Sequence, residues 1–210
     1  MKKKTLTIAC CAALLSISSV AYSAAGPYVS GNAGVAIAND SDWTDSTFPG
    51  ITLDIESDPG LALGAAVGYA FEFNARLEAE IAYQENDLDV INVFGFDVDL
   101  SGDTSSTALL FNGYYDFKNA SAFTPFIGAG IGVANVEIND LNIPGSGAPN
   151  VGDDDTVFAY QGGAGVAYAI NENINIDVKY RYFATSDPDF DTSEIEYSSH
   201  NIYAGVRIGF

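Results

Sequence analysis

Past residue 25 the chain alternates apolar with polar or small positions at a period of two, in segments of about ten residues that polar stretches interrupt. Val29, Gly31, Ala33, Val35 and Ile37 make the first apolar row, with Ser30, Asn32 and Gly34 on the opposite face. Leu61, Leu63, Ala65, Val67, Tyr69 and Phe71 make the second. After a turn near Glu72 to Ala75, Leu77, Ala79, Ile81 and Tyr83 follow against Arg76, Glu78, Glu80 and Gln84. The fourth row, Leu109, Phe111, Gly113, Tyr115 and Phe117, stands against Asn112, Tyr114 and Asp116, although Leu110 interrupts its polar side. Ile127, Ala129, Ile131 and Val133 alternate with glycines, and Phe158, Tyr160, Ala164, Val166, Tyr168 and Ile170 with Gln161, Gly163, Gly165 and Ala167. Ile174, Ile176, Val178, Tyr180 and Tyr182 then oppose Asn175, Asp177, Lys179, Arg181 and Phe183, and Ile202, Ala204, Val206, Ile208 and Phe210 close the series. Eight strands are predicted.

Their connections decide the architecture. Short turns at Glu72 to Ala75, Lys118 to Ala122 and Asn171 to Asn173 alternate with long stretches at Asn39 to Pro59, Glu85 to Ser106, Asn135 to Asp155 and Ala184 to Ser199. That asymmetry marks an outer-membrane barrel, with short periplasmic turns and long external loops. Because lipid tolerates no open sheet edge, the strands are expected to close into an all-β, eight-stranded, antiparallel up-and-down barrel. No stretch beyond residue 25 has the ~18 to 20 uninterrupted apolar residues of a spanning helix. Aromatics fall at both predicted interfaces: Phe71, Phe73, Phe117, Phe123, Tyr168 and Phe210 near the short turns, Tyr83, Phe158, Tyr160 and Tyr182 near the long loops.

Residues 1–25 read as an export leader, with Lys2, Lys3 and Lys4 before an apolar run from Thr5 to Val20 and a small-x-small site at Ala21-Tyr22-Ser23. Cleavage is expected after Ser23 or Ala25, leaving a barrel domain over 26–210. Cys10 and Cys11 both lie in the leader, so the exported chain has no disulfide. The 210 residues carry 8 basic and 28 acidic side chains, a net charge of −20 that argues against nucleic-acid binding. A chain with 12% aromatics is not a disordered one.

The segments Leu110 to Phe117, Thr124 to Gly132 and Val178 to Phe183 resemble the outer-membrane β-barrel family of surface-antigen, OmpA/OmpX-like proteins. The likeness covers essentially the whole exported chain. It implies that Phe210, with Ile208 and Val206 before it, is the terminal signal read by barrel-assembly machinery. It implies no single activity, for members include adhesins, surface antigens and structural anchors. No trailing peptidoglycan-binding domain is expected after Phe210.

Four cations, Arg76, Lys179, Arg181 and Arg207, share the predicted inward face with four anions, Glu78, Glu80, Asp116 and Asp177. An eight-stranded barrel is just wide enough for side chains to fill it, and buried charges need partners, so a plugged ionic core is expected rather than a conduction path. A small porin remains the alternative. The inward glycines either make room for long side chains or leave a narrow water path. His200, beside Ser198 and Ser199 and near Glu194 and Glu196, is the sole histidine and the only candidate for a lipid-modifying hydrolase. A structural or interfacial histidine is the preferred reading, so no enzyme and no cofactor is expected.

The four long loops hold 22 of the 28 acids and no Lys or Arg. Solubility and repulsion of anionic neighbours account for this; capture of Ca²⁺ or Mg²⁺ by Asp153, Asp154 and Asp155 or by Asp187, Asp189 and Asp191 is the functional alternative. Trp43, Phe48, Ile51, Val90, Ile91, Val93, Phe94 and Phe96 place apolar residues in these loops, and Asp87 to Leu100 alternates well enough to extend strands three and four as a hairpin around Gly95. The expected protein is a monomer in outer-membrane lipid and lipopolysaccharide, with a structural or surface-interaction role, adhesin or surface antigen.

Overall fold

A computed structural model describes residues 25–39, 41–45, 52–93, 96–99, 101–142, 151–186, 189–190, 193–195 and 197–210. The leader expected over 1–25 lies outside them, apart from Ala25. Eight long strands form the wall: β1 Gly26–Ala38, β2 Gly60–Ala70, β3 Ala75–Val93, β4 Ser101–Asp116, β5 Phe123–Asn142, β6 Val151–Ala169, β7 Ile174–Thr185 and β8 Ser198–Gly209. Each pairs antiparallel with the next, and β8 returns to β1 with Gly209 opposite Tyr28 and Ser199 opposite Ala38. The ring is closed, so no wall strand presents a bare edge to lipid.

The outward rows are those of the sequence pattern. Val67, Leu109, Ile131, Val178 and Ile202 are more than half exposed, as lipid-facing residues are when no lipid is counted. Rings cluster near the short turns, with Tyr69, Phe71 and Phe73 in contact at 5.0 and 5.1 Å and Phe123 against Tyr168 at 5.0 Å. Those turns are built by asparagine. Asn119 Oδ1 accepts the Ser121 N–H at 2.9 Å, and Asn171 Oδ1 accepts those of Asn173 and Ile174 at 2.9 and 2.8 Å, while Asn74 takes a left-handed φ of 67°.

Two findings differ from the sequence expectation, both at the opposite end. First, the wall strands run beyond their predicted limits, for β5 and β6 stay paired up to Leu141 and Val151 and β3 pairs with β4 up to Asp87 and Asp103. The described residues of 135–155 are therefore strand rather than loop, whereas strand through 85–106 is the extension that the alternation from Asp87 to Leu100 predicts. The alternation does not stop there but changes sign: Val136 turns inward and is buried while Asn135 and Glu137 face out.

Second, the other long stretches also form strands. Residues Ser41–Asp45, Thr52–Ser57, Phe96–Asp99, Asp189–Phe190 and Ser193–Ile195 pair with one another and with the top of β3 into an external sheet. Its order is 189–190, 193–195, 41–45, 52–57, upper β3, 96–99. The expected hairpin is present, with Val93 opposite Phe96, but its second strand is separate from β4 and belongs to this sheet.

Candidate functional site

The barrel interior is layered from the periplasmic turns outward. In the lowest layer Arg76 grips Asp116, its Nε 3.0 Å from both carboxylate oxygens and its Nη2 2.9 Å from Oδ1. Arg76 Nη1 also lies 3.4 Å from Glu78, whose Oε1 accepts the Tyr28 hydroxyl at 2.7 Å. The guanidinium sits 4.5 Å from the centre of the Tyr114 ring and 5.1 Å from that of Phe126, aromatic faces that favour a cation.

One layer up, Glu80 is 1% exposed and both its oxygens are used. Oε1 receives Arg181 Nη2 at 2.6 Å; Oε2 receives Asn112 Nδ2 at 2.7 Å and Gln161 Nε2 at 3.3 Å. Gln161 also donates to Asn112 Oδ1 at 2.6 Å, which locks the two amides together. Arg181 stacks 4.7 Å from the Tyr203 ring centre. Such a set fulfils what a buried ion pair requires, with the remaining lone pairs satisfied by neighbours.

The four-against-four balance does not resolve into four pairs. Among the described residues, no ion pair includes Asp177, Lys179 or Arg207. Lys179 and Arg207 instead lie 5.3 and 5.5 Å from the ring centres of Tyr203 and Tyr28, and the Asp177 carboxylate rests against Gly205. Aromatic residues thus supply part of what the carboxylates were expected to.

Inward glycines are occupied space. A side chain at Gly128 would strike the Tyr114 ring, at Gly68 the Tyr28 ring, at Gly130 Asn112, and at Gly64 both Asn32 and Glu80. Of the two readings of these glycines, the structure supports the first: they receive long side chains. Among the described residues, two small interior cavities of about 20 Å³ lie beside Tyr114, Phe126 and Lys179, each room for about one water.

Above the ionic layers the interior turns apolar. Leu110, Val136, Val157, Phe183 and Tyr197 pack with Ala82, Ala108, Ala134 and Ala159 into a buried plug. Beside it Ser199 donates to Gln84 Oε1 at 2.8 Å, Asn201 to Ser199 at 3.1 Å, and Asn86 to the Ala36 carbonyl at 3.1 Å. The sequence signal for the plug was Leu110 and Phe183 standing on the inward side; the same parity puts Asn112, Gln161 and Tyr203 inward, but which groups they and Tyr28 would meet had no local signal.

His200 and its neighbouring serines part company. Ser199 is wholly buried inside the barrel, and Asn39 donates to the Ser198 hydroxyl at 2.8 Å. His200 is on the outer surface, where its Nδ1 is 2.6 Å from the Tyr180 hydroxyl and its ring 5.3 Å from that of Tyr182. No nucleophile–base contact between them is made. Glu196 and the side chain of Glu194 lie outside the described residues.

In the acidic stretches Asp154 accepts from Asn135 at 3.1 Å, while Asp153 and Asp155 accept the N–H of the following residue at 2.9 and 2.7 Å. Among the described residues no three His, Cys, Asp or Glu converge to hold a metal ion. Asp187, Asp191 and the side chain of Asp189 lie outside them. On neighbouring strands Asp87 faces Asp103, and Glu137 faces Asp154.

A closed antiparallel ring, lipophilic outside and ion-paired within, ringed by aromatics, defines an integral outer-membrane β-barrel. The chain belongs to the outer membrane protein beta-barrel domain family, whose profile matches residues 7–210. It is similar to the outer membrane protein PagN of Salmonella typhimurium, 30% identical over 89% of this chain and 85% of that one. A Rickettsia prowazekii protein named "Putative adhesin RP828" is 24% identical over 99% of both chains. In fold it is similar to the crystal structure of Neisserial surface protein A, with a TM-score of 0.59 and 21% identity over 88% of this chain and 97% of that one. The protein resides in the outer membrane.

Proposed function

We propose that this barrel is a non-enzymatic surface-interaction protein whose lumen is a structural core and whose working surface is the acidic external end. The observation that carries the reading is the external sheet, in which strands from three separate connections, 41–45 and 52–57, 88–93 and 96–99, and 189–190 and 193–195, are paired into one structure. Chain committed to that order, above a lumen filled by an ionic lock and an apolar plug, fits presentation to a partner better than passage of solutes. The name borne by the Rickettsia prowazekii relative agrees. We further assign Phe210, Ile208 and Val206 to the signal read at assembly, and the half-exposed outward rows to lipid and lipopolysaccharide around a monomer.

The test is attachment. Bacteria displaying the intact protein are compared with bacteria displaying a barrel whose external stretches are replaced by short Gly/Ser turns, folding being checked by heat-dependent gel mobility. Attachment to host cells or matrix is expected to fall with the stretches removed; equal attachment by both rejects the proposal. Refolded protein in a planar bilayer is expected to be silent. Steady openings that Arg181→Ala alters would establish a small porin instead.

A further inference from the structure

The outer rim of the wall differs from one flank to the other. On β3, β5 and β6 the exposed positions beyond the outer aromatic row include Glu85, Asp87, Glu137 and Asp154. The upper parts of β7, β8 and β1, residues 180–185, 198–202 and 33–38, carry no carboxylate. Outward on that flank stand Tyr180, Tyr182, His200 and Ile37, with His200 opposite Tyr182 on one side and Ile37 on the other. Neither flank is served by Lys or Arg. Past the leader these are Arg76, Lys179, Arg181 and Arg207 in the lumen and Lys118 in a short turn. His200 is then the one outward side chain near the outer aromatic row that can become a cation.

Local geometry sets which of its nitrogens is available. Nδ1 is 2.6 Å from the Tyr180 hydroxyl, and the Tyr180 ring stacks beside the imidazole at 5.8 Å. A phenol is the stronger donor of the two and an imidazole nitrogen the stronger acceptor. The hydroxyl therefore donates to Nδ1, and neutral His200 carries its proton on Nε2. The protonated ring keeps that N–H as well. Among the described residues Nε2 makes no hydrogen bond, and the imidazole is only half-buried. Tyr182, its ring 5.3 Å away, adds a second hydroxyl on the same face.

These donors lie at the aromatic row, the depth of lipid headgroups and their phosphates. On the β3–β6 flank a phosphate would face carboxylates, a like-charge approach that costs energy. On the β7–β8–β1 flank it meets an N–H donor, and a charge-assisted bond when the ring is protonated. We propose that the Nε2–H of His200, with the Tyr182 hydroxyl, binds the phosphate of an outer-leaflet lipid, so that the barrel holds a headgroup on one flank and turns phosphates away from the other. This rests on the assignment of the outward rows to lipid and names the headgroup chemistry and its place.

His200 is the only histidine, so protein labelled with ¹⁵N-histidine presents one imidazole to read. The full barrel is refolded into bilayers of a phosphate-free galactolipid containing increasing shares of phosphatidylglycerol, and ¹⁵N–³¹P dipolar coupling is measured by solid-state NMR. Coupling is expected at Nε2, several-fold weaker at Nδ1, and saturating while phosphatidylglycerol is still a minor component. Tyr180→Phe releases the ring, so the coupling is expected to divide between the two nitrogens. His200→Gln with Asn135→His moves the imidazole to the acidic flank, next to Glu137, and is expected to lose most of the coupling. Heat-dependent gel mobility confirms that each variant has folded.

Absence of coupling at both nitrogens overturns the proposal, as does coupling that grows in simple proportion to the phosphatidylglycerol share, the mark of chance contact. Equal coupling after the move to position 135 means that depth alone brings a phosphate near, and the preference for one flank fails. Coupling to inorganic phosphate added over galactolipid alone gives the site to a free anion rather than a lipid. The attachment comparison above is read separately. Coupling without attachment keeps the phosphate site and fails the surface-interaction reading; attachment without coupling does the reverse.

Discussion

At Ile127, Ile131 and Val133 the outward residue of β5 is apolar, and the inward positions alongside are Gly128, Gly130 and Gly132; a few residues on, Asn135 and Glu137 face out and Val136 faces in. One strand, with one pleat and one period, serves two solvents. Within lipid the barrel is apolar outside and ionic inside, and above it the barrel is polar outside and holds an apolar plug flanked by uncharged polar groups inside. β6 repeats the change, with Phe158 and Tyr160 outward below and Asp154 and Thr156 outward above. The reversal coincides with the outer aromatic row. Geometry fixes which residues share a face, and the surrounding medium fixes which face is apolar.

The largest effect should come from the lower interior. Glu80→Met leaves Arg181 buried without its anion and is expected to cost about 3–5 kcal/mol in urea unfolding from lipid, while Glu80→Met with Arg181→Met together recovers most of it. A double variant as unstable as the single would mean that the charge pair is favourable in its own right. Next, Ile127→Lys puts a charge on the lipid face midway between the two aromatic rows and should lose about 2–4 kcal/mol. Gly128→Ala forces Tyr114 from its place and should lose about 1–3 kcal/mol; a neutral result would indicate a looser lumen. The smallest effect sharpens the boundary: Glu137→Lys, on the same face of β5 as Ile127 but beyond the reversal, should change stability by less than about 0.5 kcal/mol. Its sign should be stabilising, since Asp154 stands opposite.

The lower barrel was legible because lipid demands a long unbroken alternation, and parity alone assigned Arg76, Glu80, Asp116 and Arg181 to the interior. Which acid meets which base was not legible. Glu80 and Arg181 lie on β3 and β7, and their meeting depends on strand stagger and barrel diameter rather than on local pattern. Lys179 and Arg207 went to tyrosine rings, a choice that counting charges could not reveal. The upper parts of β5 and β6 read as loop in the sequence because polar residues there signal an outward face in water, not an interruption. The external sheet was hidden for another reason: its strands are two to six residues long outside β3, and distant stretches of chain define them.

Closure between the first and last strands also means that the ring has no beginning, although the chain does. Phe210 N–H donates to the Pro27 carbonyl at 3.0 Å, so the two ends of the barrel domain already touch. Joining them by a short turn and cutting instead at Asn171–Asn173 would give a circular permutant with every strand neighbour preserved but a different strand emerging last. Spatial architecture and order of synthesis would then be separable quantities, and the permutant's success in refolding from urea, set beside its success in export, would show whether Phe210 matters as a wall residue or as the last residue.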